Sequence, residues 1–231
     1  MKKLLLLPAI LLAFAACQND DGEPVYTYPS TLELTDVKLT SGVKLYSKHG
    51  LITNQNAINK WRERTGFDFF RWDDYASAEF NYTGQVTFQD TDTLTTPLSA
   101  PYDKLVIREQ DEYKTFYWRD TMYYQSSPLQ TFNTILDNLG ALKVYRQHVQ
   151  SPVSQYGADF IYRGLIAKGT PEELTFPHIS YAITRRFPGS DIYAFYSEQF
   201  YNNAFDPAVI SLLQDGDTLA IQEARAVYKK Q

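Results

Sequence analysis

Three histidines are the side chains best suited to acid–base or metal chemistry in this chain: His49, His148 and His178. They lie far apart, and none has a second ligand at the spacing that zinc sites use. The motifs H-E-x-x-H, C-x-x-C and G-x-S-x-G are all absent. The sequence therefore predicts no metal and no cofactor, and it assigns no catalytic residue.

Three pairs of aspartates offer carboxylates for calcium binding or for acid–base catalysis: Asp73 with Asp74, Asp90 with Asp92, and Asp215 with Asp217. Calcium needs six to eight oxygen ligands, usually from a loop with regularly spaced acids, and no such loop is present. Aspartate is also a preferred turn residue. We therefore interpret these pairs mainly as turn residues.

The segment YKTFYWRDTMYY, residues 113–124, is the strongest candidate for a binding surface. In an extended strand both of its faces would carry aromatic side chains. A strand buried on both sides, by the sheet core and by a covering helix, explains this pattern. The alternative is a surface on which Tyr113, Tyr117 and Trp118 contact a sugar or an apolar ligand while Arg119 orients it.

The N-terminus has the pattern of a secretion signal. Lys2 and Lys3 precede an apolar run, 4–14, that is too short to cross a bilayer permanently, and small residues lead into Cys17, the single cysteine. This resembles the lipobox of bacterial lipoproteins, although Phe14 stands where that family usually has leucine. The resemblance implies a signal peptide at 1–16 and attachment to the membrane through a diacylated Cys17. The alternative, ordinary signal-peptidase cleavage, would leave Cys17 as an unpaired thiol.

Residues 17–29 are polar and acidic, as expected for a flexible tether. The acids at 20, 21 and 23 resemble the export signal of surface-exposed lipoproteins in gram-negative bacteria. We expect a lipid anchor in the outer membrane of such a bacterium, with the cell surface slightly favoured over the periplasmic face.

Charge and composition restrict the partners. The chain carries a formal charge of −5 without any cluster of lysine and arginine, which argues against nucleic acid. Aromatic residues make up 15% of the chain, which is typical of a strand-rich core.

Periodicity predicts two or three short helices. One covers residues 53–64, with Ile58 and Trp61 buried and Gly66 at its end. A second lies within 128–140, and Asp206-Pro207 can begin a third. The remaining residues form about nine to eleven strands in consecutive runs with short links. We therefore predict a single mainly β (α+β) domain at 30–231, with an antiparallel curved sheet that is barrel-like or a two-sheet sandwich.

These features predict a membrane-anchored protein that binds a ligand or partner at the cell envelope, and they favour a binding protein over an enzyme. A glycan, an apolar ligand or an envelope protein are the candidate partners. The alternatives are a hydrolase acting on an envelope or extracellular polymer, and a structural subunit of an envelope complex.

Overall fold

The strands in the described part of the chain form one antiparallel hydrogen-bonded sheet. The computed structural model describes residues 25–69, 84–95, 104–110, 113–124, 132–139, 149–150, 159–189 and 193–231. In those ranges the helices are α1 (Gln55–Thr65), α2 (Asn133–Leu139) and a 3₁₀ helix (Pro207–Leu212). The strands are β1 (Ser30–Leu39), β2 (Lys44–Ser47), β3 (Gly50–Ile52), β4 (Gln85–Phe88), β5 (Thr93–Thr95), β6 (Lys104–Gln110), β7 (Tyr113–Tyr124), β8 (Val149–Gln150), β9 (Asp159–Gly169), β10 (Glu173–Arg186), β11 (Tyr193–Tyr201) and β12 (Asp217–Lys230).

Eight of these strands close into a barrel, in the order β10-β9-β7-β6-β5-β4-β1-β12. The long pairing of β10 with β12, from Glu173↔Lys229 to Arg185↔Asp217, closes the circle. Closure leaves no free sheet edge where the strands meet. The barrel-like form of the predicted curved sheet is thus the one that the chain adopts.

Alternate side chains of the barrel strands fill its interior, as the two-residue period of a strand requires. Large apolar side chains dominate this interior, and aromatic rings contact one another across it. Phe116, for example, lies 6.4 Å from Phe88 and 6.0 Å from Phe176 between ring centroids. The buried interior residues are Leu32, Val86, Phe88, Leu94, Leu105, Phe116, Ala167, Leu174, Phe176, Ala226 and Tyr228.

Strands β10 and β12 continue beyond the barrel and form a second region of sheet. There β10 pairs with β11, β12 pairs with β2, and β2 pairs with β3. We call this five-stranded region, β11-β10-β12-β2-β3, the extension sheet.

Helices cover both faces of the extension sheet. Helix α2 and the 3₁₀ helix pack on one face, where Ile135 and Val209 lie against Ile183 and Leu219. Helix α1 packs on the other face through Trp61, which contributes to a cluster with Leu45, Ala182 and Ala220. The barrel and the extension sheet therefore have separate cores, and the shared strands β10 and β12 join them.

Local sequence determines where α1 begins and ends. The Asn54 side chain accepts a hydrogen bond from the Ala57 amide at the N-cap, and Gly66 ends the helix with a left-handed φ of 60°. The buried Trp61 Nε1 donates to Thr184 Oγ1 at 3.0 Å, so the indole N–H keeps a partner when it leaves water.

A buried ion pair joins the far ends of β10 and β12. Arg185 donates from Nε and Nη2 to the two carboxylate oxygens of Asp217, at 2.6 and 2.7 Å. The Asp217 side chain has 0% exposure and also accepts from the Gln214 amide. The hydrogen bond to Asp217 raises the pKa of Arg185, so the guanidinium stays charged in this site.

Candidate functional site

A surface pocket of about 260 Å³ lies on the outer side of the barrel, where the extension sheet begins. Leu174 and Phe176 point into the barrel, so Thr175 and Pro177 face outward into the pocket. Strands β9, β10 and β12 form its floor, and the segment 203–205 after β11 forms a wall. The lining residues are Thr40, Tyr113, Lys168, Thr175, Pro177, His178, Ile179, Asn203, Ala204, Phe205, Glu223, Ala224 and Arg225.

The Asn202 side chain holds this wall against the barrel. Its Oδ1 accepts from the Ile166 amide at 2.7 Å, and its Nδ2 donates to the carbonyl oxygens of Ile166 and Pro177, both at 3.0 Å. The β9–β10 ladder pairs Leu174 with Gly169 and Thr175 with Lys168. Two residues further on, Pro177 has no N–H to offer to β9. The Asn202 amide supplies both the donor and the acceptor that a continued ladder would have used.

The next residue, Asn203, connects the wall to the helices. Its Nδ2 donates to the Leu139 carbonyl oxygen at the end of α2, at 2.6 Å, and its Oδ1 accepts from the Ala204 amide. Asn203 is buried, so these two bonds satisfy a polar group that water does not reach. Hydrogen bonds therefore hold the wall to the barrel on one side, through Asn202, and to α2 on the other, through Asn203.

Two cations face the pocket from β9 and β12, the strands on either side of β10. Lys168 Nζ lies 4.5 Å from the centroid of the Tyr113 ring, a cation–π contact. Arg225 is exposed, and no carboxylate in the described part of the chain lies within ion-pair distance of its guanidinium. It stands directly opposite Lys38 on β1 and opposite Pro177 on β10. Lys38 is itself paired with Asp36 at 2.9 Å, so Arg225 is the member of this group that has no acidic partner among the described residues.

The pocket also contains one acid. The carboxylate of Glu223 lies 3.8 Å from Lys44 Nζ, so much of its charge is already balanced. On the same strand Lys229 is paired with Glu173 at 3.0 Å. The excess charge on this part of β12 is therefore positive, although the chain as a whole is acidic.

His178 contributes to the lining in an uncharged state. Its ring stacks on Phe200 with centroids 4.2 Å apart and planes at 11°. Burial lowers the pKa of His178 to about 4, and a hydrogen bond with the Phe200 backbone opposes this only in part. Its Nδ1 has no hydrogen-bond partner among the described residues. At neutral pH this histidine adds no charge to the pocket.

The structure brings one of the residues predicted for binding into the pocket. Tyr113 lines it, while Tyr117 lies in an adjoining cluster with Ile166, Tyr201 and Ala204. The backbone of Trp118 and Arg119 belongs to β7, and their side chains lie outside the described residues, as does Cys17.

Strand β7 is buried on both faces over part of its length, as the structural interpretation of the segment 113–124 predicted. Phe116 points into the barrel, and Thr115 on the other face is also fully buried. The covering element on the outer face is different from the predicted one. Among the described residues it is the segment around Tyr201 and Ala204, which is not helical.

Most of the other candidate groups have structural roles. The Asp90 carboxylate accepts from the Asp92 amide at 2.8 Å within a turn, as predicted. Asp215 pairs with Lys48, and Asp217 belongs to the buried ion pair. His49 is exposed in a turn. Asp73, Asp74 and His148 lie outside the described residues.

The sequence interpretation missed the cations Lys168 and Arg225 and the positioning residue Asn202. Each cation occupies an outward position of an alternating strand, a pattern that any solvated strand shows. No local signal distinguishes them, since only the pairing of β12 with β10, which closes the barrel, places β9 and β12 on either side of β10.

Within the described ranges, no group of three or more His, Cys, Asp or Glu side chains is arranged to hold a metal ion. None of the described helices has the length and apolar character needed to cross a membrane. Comparison with known proteins finds no family model, no curated protein and no solved structure that matches this chain.

Proposed function

We propose that this chain is a lipid-anchored binding protein of the bacterial cell envelope, held on the outer membrane through Cys17. Its ligand site is the pocket on the outer side of the barrel. The observation that carries this proposal is a concave site of about 260 Å³ whose lining combines aromatic residues, two cations and two threonines. Binding sites typically combine apolar walls with a few convergent polar groups in this way.

The composition of the pocket supports binding more than hydrolysis. General acid–base catalysis needs a proton donor and a proton acceptor within reach of the same substrate bond. Among the described residues, Glu223 is the one carboxylate in the lining, and it already pairs with Lys44. His178 is stacked on Phe200 and has a pKa of about 4, too low for a base that works near neutral pH.

The location of the pocket also separates it from the barrel interior. Phe88, Phe116 and Tyr228 are among the side chains that fill the inside of the barrel. A ligand enclosed within the barrel, as in a lipid carrier, would have to displace this core. The outer pocket needs no such rearrangement.

Membrane attachment is tested by replacing the lipid-bearing residue. Cys17→Ser is expected to abolish palmitate labelling and to release the protein from the membrane fraction, because two or three acyl chains make an effectively permanent anchor. An unlabelled wild-type protein would contradict the anchor.

Ligand binding is tested by screening the full-length protein, purified in a non-ionic detergent, against glycan and lipid arrays. We expect a reproducible set of hits among small polar ligands. Uniform silence on both arrays would overturn the ligand-binding proposal and would favour a protein partner.

A further inference from the structure

The charge and size of the outer pocket specify a class of ligand. We infer that the pocket binds a monosaccharide-sized ligand bearing an anionic oxygen group, a carboxylate or a phosphate, which Arg225 holds. This inference rests on the proposed binding function and adds the chemistry of the ligand.

The first argument is that the charge at Arg225 is not balanced within the fold. The charged residues nearest to it on β12 are paired, Glu223 with Lys44 and Lys229 with Glu173. In the described part of the chain no acid pairs with Arg225 itself, and Lys38, which stands directly opposite it, is paired with Asp36 at 2.9 Å. These neighbouring charges therefore have partners within the fold, while the charge of Arg225 has none among the described residues. A bound anion would supply the missing negative charge.

The second argument is geometric. Lys168 is paired with Thr175, and Arg225 with Pro177 two residues further along β10. Two strand spacings and two residue rises place the Cα atoms of Lys168 and Arg225 ~12 Å apart. Their long side chains can therefore approach one small ligand from two sides, with Thr175 between them. The planar guanidinium fork matches the geometry of a carboxylate or a phosphate, and it can bind either group in a bidentate manner.

The third argument concerns the rest of the ligand. The pocket volume of about 260 Å³ lies just below the range of drug-sized sites, so the ligand is small. Tyr113, Pro177 and Phe205 give apolar surface beside the cations. Thr40 and Thr175 add hydroxyl groups that can bond to ligand hydroxyls. A sugar with one acidic substituent uses all three kinds of group.

The test measures the affinity of the full-length protein, in detergent, for three related probes. These are glucuronate, glucose 6-phosphate and glucose, measured by isothermal titration calorimetry. At least one of the two charged sugars is expected to bind, and glucose is expected to bind at least tenfold more weakly. Comparison of the two charged probes identifies which anionic group the site prefers. Raising the salt concentration from ~0.05 M to ~0.5 M should weaken the binding of the charged probe.

Two substitutions with equal change of charge separate the site from the general surface charge. Arg225→Gln is expected to reduce the affinity for the charged sugar by about 10- to 100-fold, the loss of a charge-assisted hydrogen bond. Lys229→Gln removes a positive charge from the same strand outside the pocket and should leave the affinity within about twofold. Arg225 is exposed, so circular dichroism should show both variants folded.

Three results would overturn the inference. The first is that glucose binds as tightly as the charged sugars, and the second is that none of the three probes binds. The third is that Arg225→Gln binds a charged sugar as tightly as Lys229→Gln does. After each of these results the proposed binding function would still stand if the glycan and lipid arrays show binding of other, uncharged ligands. If the arrays show no binding at all, both the proposed binding function and this inference are overturned.

Discussion

Asn202 should be worth far more to stability than a half-buried loop asparagine usually is. Asn202→Ala removes the three hydrogen bonds that its amide makes to Ile166 and Pro177. It leaves one amide N–H and two carbonyl groups without partners at the point where β10 leaves the barrel. The substitution therefore weakens the junction between the barrel and the extension sheet.

The size of the effect follows from these three bonds. Each is worth ~1 kcal/mol, and an orphaned backbone group adds up to ~2 kcal/mol where water does not replace the lost partner. For a half-buried site we expect the free energy of unfolding to fall by about 3 kcal/mol. Asn202→Asp should cost at least as much, because a carboxylate would then face two carbonyl oxygens.

Equilibrium unfolding in urea, followed by the fluorescence of the tryptophans, measures this loss. Trp61 is buried against the extension sheet and should report on the transition. Asn56→Ala, on the exposed side of α1, is the matched control and should change stability by less than about 0.5 kcal/mol. A loss below about 1 kcal/mol for Asn202→Ala, or a loss equal to that of the control, would refute the role given to this side chain.

Two further predictions test other parts of the fold. Gly169 has a φ of +125°, and a Cβ there would collide with the carbonyl oxygen of Glu173 across the β9–β10 turn. Gly169→Ala should therefore lower the free energy of unfolding in urea by at least ~3 kcal/mol. The control is Gly189→Ala, where φ is +72° and no described atom lies within 4 Å of the added Cβ, and it should cost ~1 kcal/mol. Equal losses of stability in the two variants would contradict the clash. Burial lowers the pKa of His178 to about 4 from 6.5, so the unfolded chain binds more protons than the native one between these values. Stability from this residue is complete above pH 6.5 and is lost as the pH falls toward 4, by up to ~3 kcal/mol. Urea titrations at several pH values measure this effect. His178→Phe should remove this part of the pH dependence of stability, whereas the substitution of the exposed His49, His49→Gln, should not. An unchanged pH dependence of stability in His178→Phe would contradict the role given to His178.

Much of the fold could be predicted from local patterns. Asn54 and Gly66 carry their own capping chemistry, so the limits of α1 could be predicted within two residues. The alternation of apolar residues slips by one near Asp36, which is typical of a β-bulge, and the register of β1 against β12 shifts between Leu34 and Asp36. Asp206 caps a helix as predicted, although that helix is of the 3₁₀ type.

The closure of the barrel depends on contacts that no local pattern encodes. Short links between strands favoured an antiparallel curved sheet, but they do not determine which strands pair across long separations. The pairing of β1 with β12 is an example, because these strands lie near opposite ends of the chain and no local pattern relates them. The division of β10 between barrel and extension sheet likewise depends on Pro177 and on an asparagine 25 residues later.

The candidate site was less predictable than the fold. Tyr113 could be selected because its segment is unusually aromatic, and it does line the pocket. Lys168 and Arg225 belong to ordinary alternating strands, and their charge becomes distinctive only when their neighbours are seen to be paired elsewhere. The property that matters is a balance of charge in space, which is not visible along the chain.

The most direct test of the central claim is to block the pocket. Thr175 faces outward on β10 between the two cations, so Thr175→Trp should fill the pocket without entering the barrel core. Thr31→Trp places the same side chain at an exposed position of β1 and serves as the control. For a ligand found with the wild-type protein, titration calorimetry should show that Thr175→Trp abolishes binding while Thr31→Trp retains it. Undiminished binding by a folded Thr175→Trp variant would contradict the placement of the ligand site.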